Sequence, residues 1–101
     1  MKQNICSREE LISAIETLLR KYKAEKAILF GSYAREEADE ESDIDLMVIG
    51  GSSFKPTDIF SLAEELYRSL GKDVDVYELC EIDQNSDFYR TILREGVPIA
   101  A

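Results

Sequence analysis

The sequence predicts an α/β (α+β) fold: a small mixed sheet of about three to four strands with helices packed on it. Three observations lead there. Two long segments carry apolar residues at helical spacing. Three short apolar or alternating runs, each bounded by turn residues, read as strands. The two kinds of segment alternate along a chain of 101 residues, in the order α-β-(α)-β-α-β-α, which favours helices layered on one sheet. At that length residues 1–101 are expected to form one domain with one core.

The elements follow in order. Ser7-Arg8-Glu9-Glu10 has the form of a capping box. Behind it Leu11, Ile12, Ile15, Leu18, Leu19 and Tyr22 mark one face of a helix over about Arg8 to Lys23. Lys26 to Phe30 (KAILF) reads as a buried strand ended by Gly31-Ser32, and Ser32 to about Glu37 as a short helix capped by Ser32. Asp43 to Ile49 (DIDLMVI) is a second strand, stopped by Gly50-Gly51. Thr57 to Leu70 repeats helical spacing with Ile59, Phe60, Ala63, Leu66, Tyr67 and Leu70, and Gly71 ends it. Asp73 to Leu79 (DVDVYEL) alternates strictly, as a strand with one polar face does. Asp83 to Arg94 is a last helix with Phe88, Tyr89, Ile92 and Leu93 inward, terminated by Gly96 and Pro98.

Composition excludes several classes of function. Histidine is absent, which removes Ser-His-Asp and Cys-His catalysis and every zinc site containing histidine. Any acid–base or metal chemistry must then rest on carboxylates. The net charge of −9 repels a polyanion, so no direct nucleic-acid binding is expected. No apolar run is long enough to span a bilayer, and Met1 to Arg8 lacks the apolar core of a signal peptide. The expected location is the cytoplasm, with no membrane contact and with Cys6 and Cys80 as reduced thiols.

The second strand carries the chemistry. Side chains alternate along a strand, so Asp43 and Asp45 share one face while Ile44, Leu46 and Val48 take the other. Two carboxylates about 6.6 Å apart on one face suit a hard cation. If the third strand neighbours the second, Asp75 completes a cluster able to hold two magnesium ions and serve phosphoryl transfer. Asp73 shares the face of Asp75 and competes with it for the third place. Gly31-Ser32, turning from strand into helix, offers backbone N–H groups and a hydroxyl to phosphate oxygens.

The run from Gly31 to Asp45, GSYAREEADEESDID, resembles the G-S-x-A-R-G-(spacer)-S-D-x-D signature of the minimal nucleotidyltransferases (MNT) of the DNA polymerase β-like superfamily. KAILF and DLMVI lie where that family has strands, Asp75 where its third carboxylate falls, and the closing EGVPI resembles its usual end. The resemblance implies a polymerase β palm-like fold, with Gly31, Ser32 and Arg35 at the triphosphate of ATP or another NTP. It implies magnesium on Asp43, Asp45 and Asp75, with Asp75 as a ligand or as the general base for an acceptor hydroxyl. Arg35 is left with two roles, neutralising phosphate or pairing with nearby acids. Glu36 stands where the family usually has glycine; if that position needs positive φ, Glu36 is strained and adds negative charge near the triphosphate. Chains of this length in the family commonly act as antitoxins of helical HEPN-domain toxins, transferring AMP to a tyrosine of the toxin. The implied partner is such a protein, in a hetero- or homo-oligomer; the alternative is a non-catalytic module that neutralises its HEPN partner by contact.

The remaining acids, Glu36, Glu37, Asp39, Glu40 and Glu41, read as a solvated loop. Tyr22, Tyr67, Tyr77 and Tyr89 are expected in the core, and Tyr33 exposed near the nucleotide, where it would stack on a base.

Overall fold

Ser7 opens the first helix as the sequence requires. Its hydroxyl accepts the Glu10 N–H at 3.1 Å and the Glu10 carboxylate accepts the Ser7 N–H at 3.0 Å, closing the capping box. These contacts come from a computed structural model, which describes residues 7–38 and 42–100. Helix α1 (Arg8–Tyr22) ends where Lys23 turns left-handed. Strand β1 (Lys26–Phe30) follows, then a single 3-10 turn, Gly31–Tyr33. Next come β2 (Ile44–Ile49), α2 (Asp58–Leu70), β3 (Val74–Glu78), a second 3-10 turn, α3 (Asp87–Glu95) and β4 (Val97–Ala100).

The strands form one mixed sheet in the order β3-β2-β1-β4. The pairs β1–β2 and β1–β4 are antiparallel, and β2–β3 is parallel across the α2 crossover. Alternation then divides the side chains between two faces. Ala27, Leu29, Ile44, Leu46, Val48 and Ile99 meet Leu11, Ile15, Leu19, Leu62 and Leu66 of α1 and α2 in the main core. Each fully buried Leu or Ile there contributes about 1.5–3 kcal/mol. On the other face Ile28, Phe30 and Met47 meet Ile92 of α3 in a smaller cluster. That face is only partly covered, and it is the one on which Asp45 and Asp75 lie. Among the described residues no helix is long and apolar enough to cross a membrane.

Several expectations change. The helix expected from Ser32 to Glu37 is one 3-10 turn starting at Gly31, and no side chain caps it. The backbone bonds instead to itself, Ala34 and Arg35 N–H to the Gly31 carbonyl and Glu37 N–H to that of Ser32. The last helix starts at Asp87, where the Ser86 hydroxyl accepts the Tyr89 N–H. Pro98 does not merely stop the chain. It sits opposite Ile28 in β4, an edge strand, where a missing N–H costs nothing. The predicted core also loses members. Phe60 is 76% exposed, Tyr67, Tyr77, Phe88 and Leu93 are exposed, and Tyr33 is 4% exposed inside the main core. Cys6 and the acids Asp39, Glu40 and Glu41 lie outside the described residues. Cys80 is a free, exposed thiol.

Candidate active site

The parallel register sets Asp45 directly opposite Asp75, with Ile44 opposite Val74 and Leu46 opposite Val76. Neighbouring strands lie about 4.8 Å apart, so these carboxylates are adjacent on the open face. Asp73 precedes β3, and its carbonyl accepts the Ile44 N–H at 3.0 Å. Asp43 lies one residue ahead of β2 and is exposed. Asp45 is half-buried because Phe30 stands opposite it on β1 and Gly31 closes over it.

Gly31 has φ +78°, and a methyl group at its Cα would overlap the Asp45 carboxylate oxygen. The position therefore needs glycine twice over, for its backbone and for the space beside Asp45. The turn that follows is tied to α1, because the Arg8 guanidinium donates to the Ala34 carbonyl at 2.8 Å. Gly31 thus borders the Asp45–Asp75 pair, with Ser32 next in the chain. A three-residue turn carries little macrodipole, so its backbone N–H groups would have to meet an anion without that help.

Electrostatics marks Asp45 as the strained member. Burial, then the charges of Asp75 and Asp43, push its carboxyl above the ordinary aspartate range, against the pull of Arg35. A raised carboxyl binds its proton more tightly when folded. The stability it contributes is fully present below the unfolded pKa and is lost as pH rises through the folded one. Without divalent ions, Asp45→Asn is expected to melt higher than wild type at pH 7, with the gap closing toward pH 3. Thermal melts across that range check it; a lower melting point at pH 7 would contradict the like-charge account.

Among the described residues no three acidic or cysteine side chains close into a ready-made metal cage. The donor set nevertheless fits a hard divalent cation. It consists of carboxylate oxygens, crowded enough that Asp45 holds its charge with difficulty.

Arg35 is committed to acids. Its Nε meets Glu37 at 2.8 Å and its Nη1 meets Glu95 at 3.3 Å, and its charge also acts on Asp45. Glu36 has φ +60°, so the residue in the family's glycine position does occupy the left-handed region. Glu36→Gly is expected to stabilise the chain by about 0.5–1 kcal/mol, the strain relieved less the entropy of an unfolded glycine. Urea unfolding reads this; a lower midpoint would mean that the Arg8–Glu36 ion pair at 3.8 Å outweighs the strain.

Two tyrosines take places opposite to those expected. Tyr33 is buried in the main core and unable to stack on a base from there. Tyr77, two residues beyond Asp75 on the same face, is exposed and forms an aromatic cluster with Phe30 and Phe88, with ring centroids 5.5–5.8 Å apart. Burial and then the charges of Asp75 and Asp45 raise its phenol's pKa. The strict alternation of Asp73, Asp75 and Tyr77 was the available signal.

A four-stranded mixed sheet with three helices matches the fold of the polymerase β-like nucleotidyltransferases. The chain belongs to the Polymerase beta, Nucleotidyltransferase family, whose model matches residues 13–101, and as a member it is a nucleotidyltransferase. Among curated proteins it is similar to two from Methanocaldococcus jannaschii named as protein adenylyltransferases. MJ0435 is 43% identical over 67 residues, spanning 66% of this chain and 72% of the relative. MJ0604 is 34% identical over 92 residues, spanning 87% and 89%. A solved minimal nucleotidyltransferase superposes with a TM-score of 0.73 at 28% identity, covering 93% of this chain and 97% of its own. A toxin–antitoxin structure with AMP-PNP gives 0.73 at 27% identity, covering 86% of this chain and 70% of that chain. The tri-AMPylated Shewanella oneidensis HEPN toxin in complex with its MNT antitoxin gives 0.68 at 25%, covering 90% and 70%.

Proposed function

We propose that the chain transfers AMP from ATP to a hydroxyl of a protein acceptor, and that the acceptor is a HEPN-type toxin that this antitoxin silences. The observation that carries this reading is the facing of Asp45 and Asp75 beneath Gly31. Similarity to protein adenylyltransferases and to MNT–HEPN complexes supports the choice of AMP and of partner.

In this reading Asp43, Asp45 and Asp75 hold magnesium, two ions in all, as the carboxylate donor set suits. Bound magnesium supplies positive charge that offsets the triphosphate and polarises its α-phosphorus. The chain's own groups do the rest. Gly31 and Ser32 receive the phosphates through backbone N–H groups and the Ser32 hydroxyl. Asp75, exposed at the edge of the pair, accepts the proton of the acceptor hydroxyl. The acceptor oxygen then bonds to the α-phosphorus, the bond to the bridging oxygen breaks, and pyrophosphate leaves. Asp45 is anchored and oriented by Phe30 and Gly31. Arg35 works at one remove, bracing the turn to α3 through Glu95.

The test is incubation of the chain with ATP labelled at the α-phosphate and the protein encoded beside it, followed by mass spectrometry of that protein. Mass increments of AMP that require magnesium are expected; unmodified acceptor in an intact complex would reject transfer.

A contact-only antitoxin is the second reading, favoured by strained Glu36 and by an Arg35 already committed to Glu37 and Glu95. It expects Asp43→Asn/Asp45→Asn to protect cells as well as wild type does. The transfer reading expects protection to be lost while the complex persists.

A further inference from the structure

β3 is the outermost strand, with β2 on one side and, among the described residues, no strand on the other. In a parallel pair successive residues alternate, one turning its backbone groups toward the neighbour and the next turning them outward. The Ile44 N–H bonded to the Asp73 carbonyl fixes the phase. Asp73, Asp75 and Tyr77 face β2, so Val74 and Val76 present N–H and C=O to the open edge. Such an edge is a template for another strand.

A groove of about 280 Å³ wraps this edge between α2 and β3, with Phe60 and Ala63 on one wall, Val74 and Val76 along the floor, and Asp75 and Tyr77 at the rim. Phe60 is 76% exposed beside it, an apolar cost that burial by a partner would remove. A second hollow, sharing Phe60, continues the groove to Glu78 and Glu81. Two larger hollows lie along α1 and α2, around Lys21 and Glu65, and include none of the site carboxylates.

We propose that this edge is the dock for the acceptor polypeptide. It takes an extended segment that pairs with Val74 and Val76, covers Phe60 with apolar side chains, and so brings a hydroxyl to Asp75. The acids Glu78 and Glu81 select a basic residue about three positions from that hydroxyl, the separation from Asp75 to Glu78 along β3. The inference rests on the transfer reading and adds to it the form of the acceptor: a basic-flanked, hydroxyl-bearing extended segment of the otherwise helical toxin.

The probe is the heptapeptide Lys-Val-Val-Tyr-Val-Val-Lys, titrated into the full chain and followed by backbone amide NMR. The Val74 and Val76 amides are expected to shift and to gain protection from exchange. A peptide with proline on both sides of the tyrosine, or with glutamate for both lysines, should bind at least tenfold more weakly, as should the Phe60→Ser chain to the original peptide. Unmoved Val74 and Val76 amides, or equal affinity for the proline peptide or for Phe60→Ser, would overturn the dock. Shifts at those amides that follow chain concentration without peptide would also overturn it, assigning the edge to a second copy. AMP-PNP with magnesium, titrated separately, reads the transfer site: failure to bind there rejects the transfer reading, while the amide shifts judge the dock by themselves.

Discussion

Asp43→Asn combined with Asp45→Asn is expected to lower AMP transfer by at least about a thousandfold, because it removes the anionic oxygens on which a divalent cation at the triphosphate depends. The fold should survive. Asp43 precedes β2 and is exposed, and Asp45 is only half-buried beside a second acid. Asn keeps the shape of Asp and relieves the repulsion that raises the Asp45 carboxyl, so lost activity would coincide with unchanged or higher thermal stability. That combination separates a catalytic role from a structural one. The measurement is label transfer from ATP labelled at the α-phosphate, with circular dichroism melts alongside. Transfer within tenfold of wild type would end the catalytic account of this pair.

Gly31→Ala is the second change with a large expected effect, and it acts on fold and site together. Its φ of +78° strains any L side chain, and the new methyl lies where the Asp45 carboxylate now sits. Backbone strain of about 1–2 kcal/mol and overpacking of about 1–3 kcal/mol together predict a loss of about 2–5 kcal/mol. The surviving folded fraction should transfer poorly, because the Asp45 carboxylate must leave its present position opposite Asp75. Chemical denaturation gives the stability and single-turnover transfer gives the site. Ser32→Ala, which adds no bulk and leaves the backbone free, should unfold at nearly the wild-type denaturant concentration. A Gly31→Ala chain as stable as wild type would mean that the turn does not enclose Asp45 as described.

Much of this architecture is legible in the chain because local signals agree with tertiary ones. Ser7 and Glu10 define a helix start through contacts three residues apart, and KAILF is apolar because β1 is central in the sheet and covered on both faces. Asp45 is legible for the opposite reason: an acid in an apolar strand is costly, so its presence signals use. Asp75, exposed on a strand with one polar face, is singled out from Asp73 only by the family resemblance. What the sequence hides depends on which strands become neighbours. Tyr33 and Tyr77 follow no local rule that separates core from surface. Tyr33 is buried because its turn folds back over the main core, and Tyr77 is exposed because β3 is an edge. Phe60 fits the helical period of α2 yet lies beyond the rim of the sheet, so periodicity alone places it inward. β4 is hidden by Pro98, which looks like punctuation until the edge position that tolerates it is known.

The central claim is that a divalent cation and a triphosphate meet Asp45 and Asp75 under the Gly31 turn. Manganese in place of magnesium, added at a small fraction of the chain concentration with AMP-PNP in excess, broadens amide resonances close to the ion. The amides of Gly31, Ser32, Asp45 and Asp75 are predicted to broaden first, and Asp43→Asn/Asp45→Asn to abolish the effect. Broadening centred instead on Glu36 and Glu37, or on Glu65 between α1 and α2, would contradict the account.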